Sequence, residues 1–184
     1  MVPDTSHLGR GRSAEQHALL PGTWCPNNPS CPLLIYRDTL EGSGEELADR
    51  FEETFERNGW PPAWRYTIYD YPHYHSTTHE VIGIFRGEAD VRFGDDAGFT
   101  ARISAGDVVV IPAGVSHQRL WQTDDFQGVG AYPHGCDVDE VRKDSKVALS
   151  TVENDIRRIA IPPDPLTGGR SPLGEIWISV ARAA

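Results

Sequence analysis

Three imidazoles and one carboxylate, drawn from two separated stretches, are the residues whose types and spacing could do chemistry. His73, His75 and Glu80 come from the first stretch, and His117 comes from the second. Imidazole nitrogen with carboxylate oxygen suits a first-row divalent ion such as Fe, Mn, Ni, Co or Zn. A buried histidine is costly unless its ring nitrogens are paired, and three converging ones need a common partner. One divalent metal ion is the expected partner. Four protein donors would leave room on it for an oxygen-bearing substrate, dioxygen or water.

The elements around these residues must be strands and turns. Residues 64–71 are rich in aromatic and β-branched types, as strands are. His73 and His75 are two apart, so on a strand both point to one face. Glu80 opens an apolar run, Val81-Ile82-Gly83-Ile84-Phe85, closed by Arg86-Gly87. An antiparallel neighbour would bring it beside the histidines. His79 is adjacent to Glu80, so alternation sends it to the opposite face, outside the ligand set. A one-residue slip in register would exchange the two. The run Val108-Val109-Val110-Ile111 reads as a fully apolar strand, and Pro112-Ala113-Gly114 supplies a turn before His117. Arg119 and Trp121 follow His117 at steps of two. In a regular strand both face inward, Arg119 as a fork of donors for a carboxylate or enolate oxygen and Trp121 as an apolar wall. The alternative for Arg119 is a surface pairing with one of the 27 acidic residues.

His73, His75, Glu80 and Gly87 match the pattern G-x5-H-x-H-x3-4-E-x6-G without its leading glycine. Gly106, Pro112, Gly114 and His117 match G-x5-P-x-G-x2-H-x3-N, with Trp121 in place of the asparagine. On these two motifs the chain resembles the cupin superfamily. The phrases Pro26-Asn27-Asn28-Pro29, Asn58-Gly59-Trp60-Pro61-Pro62 and Ala131-Tyr132-Pro133 resemble the YjlB-like group of small single-domain cupins. The resemblance implies a mainly β fold, a double-stranded β-helix or jelly-roll barrel, with a metal site at the four matched ligands. It also points to a homodimer.

Composition sets outer bounds. The 184 residues carry 39% hydrophobic and 24% charged side chains, ordinary values for one soluble domain. The net charge of −10 comes without any basic block, so neither nucleic acid nor an anionic membrane surface is an expected partner. No apolar run reaches the length of about 18 residues that spans a bilayer. Residues 1–22 lack the apolar core of a secretory signal, and Cys25, Cys31 and Cys136 are odd in number. Reduced thiols and a cytoplasmic location are expected.

Residues 1–22 read as a mobile tail, and 23–184 as a single cupin domain with its barrel core at about 64–132. Residues 33–37 read as a strand. Ser43-Gly44-Glu45-Glu46 reads as a capping box for a short N-terminal helix with an apolar stripe at Leu47, Phe51 and Phe55. Barrel strands are expected near 73–76, 80–86, 88–94, 98–103, 107–111, 116–122 and 126–132. Two late strands are expected, Arg158–Ile161 and Glu175–Ser179. The segments 33–37 and 158–179 would offer strands to a dimer partner. The function expected is a metal-dependent enzyme acting on a small oxygenated or aromatic molecule, an oxidoreductase of the dioxygenase type. A metal-dependent isomerase or decarboxylase working through an enolate, and a non-catalytic small-molecule-binding cupin, stay open.

Overall fold

In the computed structural model, residues 13–183 are described. The chain order is β1 (Glu15–His17), β2 (Leu33–Tyr36), α1 (Gly44–Arg57), β3 (Pro62–Tyr66), β4 (His73–Tyr74), β5 (Glu80–Arg86), β6 (Glu88–Phe93), β7 (Phe99–Ser104), β8 (Val108–Ile111), β9 (His117–Gln122), β10 (Gln127–Ala131), β11 (Val141–Arg142), α2 (Leu149–Ile156) and α3 (Leu173–Ala183). The strands form two antiparallel sheets. One has the order β1-β2-β8-β5-β10-β3 and the other β11-β4-β9-β6-β7.

Period-2 alternation explains how the sheets pack. On β6, Ala89, Val91 and Phe93 are buried while Glu88, Asp90 and Arg92 are less so. These apolar residues meet Ile82, Ile84, Val109 and Ile111 of the other sheet in one cluster, the barrel interior. The strands β2, β5 and β8 are buried on both faces, as continuous apolar runs demand. Their other face carries Leu34, Val81, Phe85, Val108 and Val110, covered by Leu47, Phe51 and Phe55 of α1. The stripe at i, i+4 and i+8 is thus the packed face of that helix.

Several local expectations are corrected. Ser43 precedes α1 but makes no side-chain capping bond. Gly44 takes a left-handed φ of 59°, and Glu46 pairs with Arg50 at 2.8 Å instead of reaching back to the cap. The tail expected over residues 1–22 does not extend to residue 22, because Glu15–His17 pairs with Leu33–Ile35 as β1; residues 1–12 lie outside those described. The strand expected over 64–71 is β3, Pro62–Tyr66, and the chain then crosses to the other sheet. Residues 33–37 are no free edge, since β2 lies between β1 and β8. Arg158–Ile161 forms no strand, and Glu175–Ser179 lies within α3. Leu173, Ile176 and Trp177 recur at i, i+3 and i+4 and pack on the core beside α1. Trp177 also donates from Nε1 to the Pro32 carbonyl at 2.9 Å. Tertiary burial of one face has overridden the β-propensity of the isoleucines. The segment 158–179 therefore offers no strand to a partner. Among the described residues no helix is long and apolar enough to cross a membrane.

The docking of α3 is testable. Trp177→Ala should lower the unfolding free energy by about 3–5 kcal/mol through the cavity it leaves, measured by urea denaturation. A loss below about 1 kcal/mol would show that α3 is not part of the cooperative core.

Candidate metal centre

His73 pairs directly with His117 across β4 and β9, which fixes the first two imidazoles side by side with ring centroids 4.2 Å apart. His75 follows on the same face, 5.6 Å from His73 and 5.9 Å from His117. All three are buried, and one ring nitrogen of each lies within 4.8 Å of the others. The opposite sheet delivers Glu80 at the start of β5. Its Oε2 is 3.4 Å from His75 Nε2 and 3.3 Å from His117 Nε2. Pro112-Ala113-Gly114 holds the two stretches together. Gly114, at φ 87°, donates its N–H to the His75 carbonyl at 2.8 Å. Ala113 N–H donates to His79 Nδ1 at 3.0 Å.

Hydrogen bonds at the outer ring nitrogens turn the inner ones toward the cluster. His73 Nδ1 donates to the Tyr71 carbonyl at 3.2 Å, and His75 Nδ1 donates to the Asp139 carbonyl. Asp139 is itself anchored, its carboxylate accepting from the backbone N–H groups of Ser76 at 2.7 Å and Thr77 at 3.2 Å. Such outer partners set ring orientation at metal sites.

The electrostatics favour a positive charge here. Burial opposes ionisation of Glu80, yet the neighbouring His75 and His117 draw its carboxyl down to about 2. Burial likewise opposes protonation of His75, but Glu80 raises it to about 9. His117 is held well below the ordinary histidine value by burial and by His73. Glu80 is 3% exposed, and its Oε2 is buried without a hydrogen bond. An unpaired carboxylate oxygen beside two of three clustered imidazoles fits a metal cation.

The cluster opens into a cavity of about 360 Å³ whose walls include Trp64, Tyr66, Ile68, Tyr69, Ile82, Tyr132 and Val138. His79 points away from it. It is buried against Trp177, ring centroids 4.7 Å apart, and burial holds its pKa at about 4. Arg119 does not line the cavity. Its backbone N–H donates to Tyr69 O at 2.9 Å and its Nε to Ile68 O at 2.9 Å, so it braces the segment that carries Tyr69. Trp121 is also absent from the walls. The register shifts so that Val91 faces Arg119 but Asp90 faces Trp121. The extra residue turns Trp121 to the outer face, where it is 45% exposed under the Arg102 guanidinium, 4.7 Å from the ring centroid. The expectation of an anion fork at Arg119 and a wall at Trp121 is therefore corrected.

Sequence reasoning missed Tyr132, Trp64 and Asp139 as site residues. Tyr132 OH donates to Glu80 Oε1 at 2.9 Å, and Trp64 Nε1 donates to the Tyr132 oxygen at 3.2 Å. The phrase around Tyr132 carried the only signal, and that signal spoke of kinship and not of a role.

Two antiparallel sheets enclosing a cluster of three histidines and a glutamate define a cupin-type barrel. A family model described as Cupin matches residues 69–123. The chain is 41% identical over 154 residues to a Bacillus subtilis (strain 168) protein described as "Uncharacterized protein YjlB", covering 83% of this chain and 90% of that protein. The chain therefore belongs to the cupin superfamily, as a YjlB-like member. Among solved structures, RmlC from Streptococcus suis in complex with dTDP-D-xylose overlaps with a TM-score of 0.38 at 13% identity, over 67% of this chain and 71% of that one. Streptomyces albus HEPD, with 2-hydroxyethylphosphonate and Fe(II) bound, overlaps at 0.28 and 11% identity, over 66% and 24%.

Replacing His73, His75, Glu80 or His117 singly by Ala should reduce metal per chain to a small fraction of the wild-type value, read by elemental analysis of purified protein. Arg119→Ala and Trp121→Ala should leave it unchanged. Metal loss in either of the latter two, with loading kept in Glu80→Ala, would refute this ligand set.

Proposed function

We propose that this protein is a metal-dependent enzyme acting on a small oxygenated or aromatic molecule, as an oxidoreductase of the dioxygenase type. The observation that carries the reading is a cluster of three imidazoles, with the Glu80 carboxylate against two of them, at an aromatic-walled cavity without a lysine or arginine among its lining residues. His73, His75, Glu80 and His117 would hold one divalent ion, Fe, Mn, Ni, Co or Zn by donor type. Such an ion supplies Lewis acidity and open positions for oxygen donors when bound.

The remaining chemistry belongs to the walls. Trp64, Tyr66, Tyr69 and Tyr132 offer flat faces and edges on which an aromatic ring packs. Ile68 and Ile82 add buried apolar surface to the walls. The acidic groups that border the cavity are already engaged. Asp139 is held by Ser76 and Thr77, and Glu140 pairs with Arg142 at 2.6 Å. A polyanionic substrate would find no lysine or arginine among the lining residues, so a neutral or singly charged one fits best. A passive binding barrel has no need of four converging ligand groups.

Protein purified without added metal should contain iron, and it should consume oxygen with a catechol, a β-diketone or a 2-oxo acid, as read with an oxygen electrode. His117→Ala should abolish the uptake. Zinc or nickel with turnover but no oxygen consumption would instead support an isomerase or lyase. Ligand binding by metal-free protein without turnover would support a binding module.

A further inference from the structure

The phenol of Tyr132 has one proton to give, and its surroundings dictate where that proton goes. An indole N–H donates and never accepts. Trp64 Nε1 donates to the Tyr132 oxygen at 3.2 Å, so the hydroxyl proton is committed to Glu80 Oε1 at 2.9 Å. One carboxylate oxygen is thereby occupied. The other, Oε2, is the atom that faces His75 and His117 and makes no hydrogen bond of its own.

Trp64 is placed by a glycine. Trp64 and Gly130 are register partners on β3 and β10. A Cβ added at Gly130 would lie 1.9 Å from Trp64 Cε2 and 2.4 Å from its Nε1. The indole therefore lies against bare backbone, the arrangement in which an aromatic covers a cross-strand glycine. From there its N–H reaches the residue two beyond Gly130, which is Tyr132.

We propose that Tyr132, oriented by Trp64 lying over Gly130, is a positioning residue that restricts Glu80 to presenting the single oxygen Oε2 to the metal. The proposal rests on the metal-site reading above. It assigns a role to three residues outside the ligand set. Tyr132 is 5.5 Å, ring centroid to ring centroid, from His75 in an edge-on contact, so the same side chain also backs that ligand. Hydrogen-bond partners of metal-binding carboxylates tune affinity through orientation, with losses of about 10–100-fold on removal.

The test uses Co²⁺, whose visible absorption reports coordination, added to metal-free full-length protein. Wild type should bind one equivalent. Tyr132→Phe should still bind one equivalent but about 10–100-fold more weakly, with a weaker visible band as Glu80 engages through both oxygens and the coordination number rises. Trp64→Phe frees the phenol to rotate and should shift the band in the same direction by a smaller amount. Gly130→Ala, which must displace the indole, should reproduce the Trp64→Phe spectrum. A merely structural role for Tyr132 would lower the thermal stability of the metal-free protein while leaving the Co²⁺ spectrum and affinity within about twofold of wild type. That result overturns the proposal. If Tyr132→Phe does not fold, a Trp64→Phe spectrum identical to wild type overturns it equally. Failure of wild type to bind Co²⁺ would overturn the metal-site reading along with it. Binding that depends on Glu80 but not on Tyr132 would overturn the positioning role alone.

Discussion

A carboxylate inside an apolar barrel is the constraint on which the rest of this structure depends. Moving such a charge out of water costs several kcal/mol even after the protein relaxes, and Glu80 is almost wholly buried. The fold answers with opposite charge and with donors. Two imidazoles stand within 3.4 Å of one oxygen, and the Tyr132 hydroxyl binds the other. The imidazoles alone leave Oε2 without a hydrogen bond. The geometry is that of an anion prepared for a cation.

That preparation needs two distant stretches of chain to meet in register. The direct pairing of His73 with His117 does this across one sheet. The Pro112–Gly114 turn does it between the sheets, with one N–H on the His75 carbonyl and another on the His79 imidazole. His79 thus serves the site from behind. It is a core residue that burial keeps neutral, and the Ala113 N–H selects the tautomer whose Nδ1 accepts.

What was legible in the sequence was whatever depends on local period. Alternation placed His79 and Glu80 on opposite faces, gave β6 its solvated side and showed the packed stripe of α1. Spacing, with the two motifs, pointed to His73, His75, Glu80 and His117, and the structure brings the three histidines into one cluster. What was not legible depends on partners far along the chain. Trp121 follows the period on paper, but the register shift opposite Asp90 and Val91 turns it outward, and a bulge of that kind is set by the neighbouring strand. Residues 173–183 carry a mixed pattern that reads as strand or helix. The surface they cover, the back of the β2-β8-β5 face beside α1, exists only once the sheet has formed. Tyr132 and Trp64 become neighbours of Glu80 through β10 and β3, and nothing in their spacing announces it.

The ligands and the walls of the cavity come from different parts of the chain. His73, Glu80 and His117 sit on paired strands, and His75 directly follows one, whereas Tyr66, Tyr69 and Val138 sit at a strand end, on a crossing and on a loop, each more than 40% exposed. Exposed side chains there can be replaced at small cost to the core. The rim can therefore be reshaped, and with it what the cavity admits, without disturbing the strands that hold the histidine cluster in register.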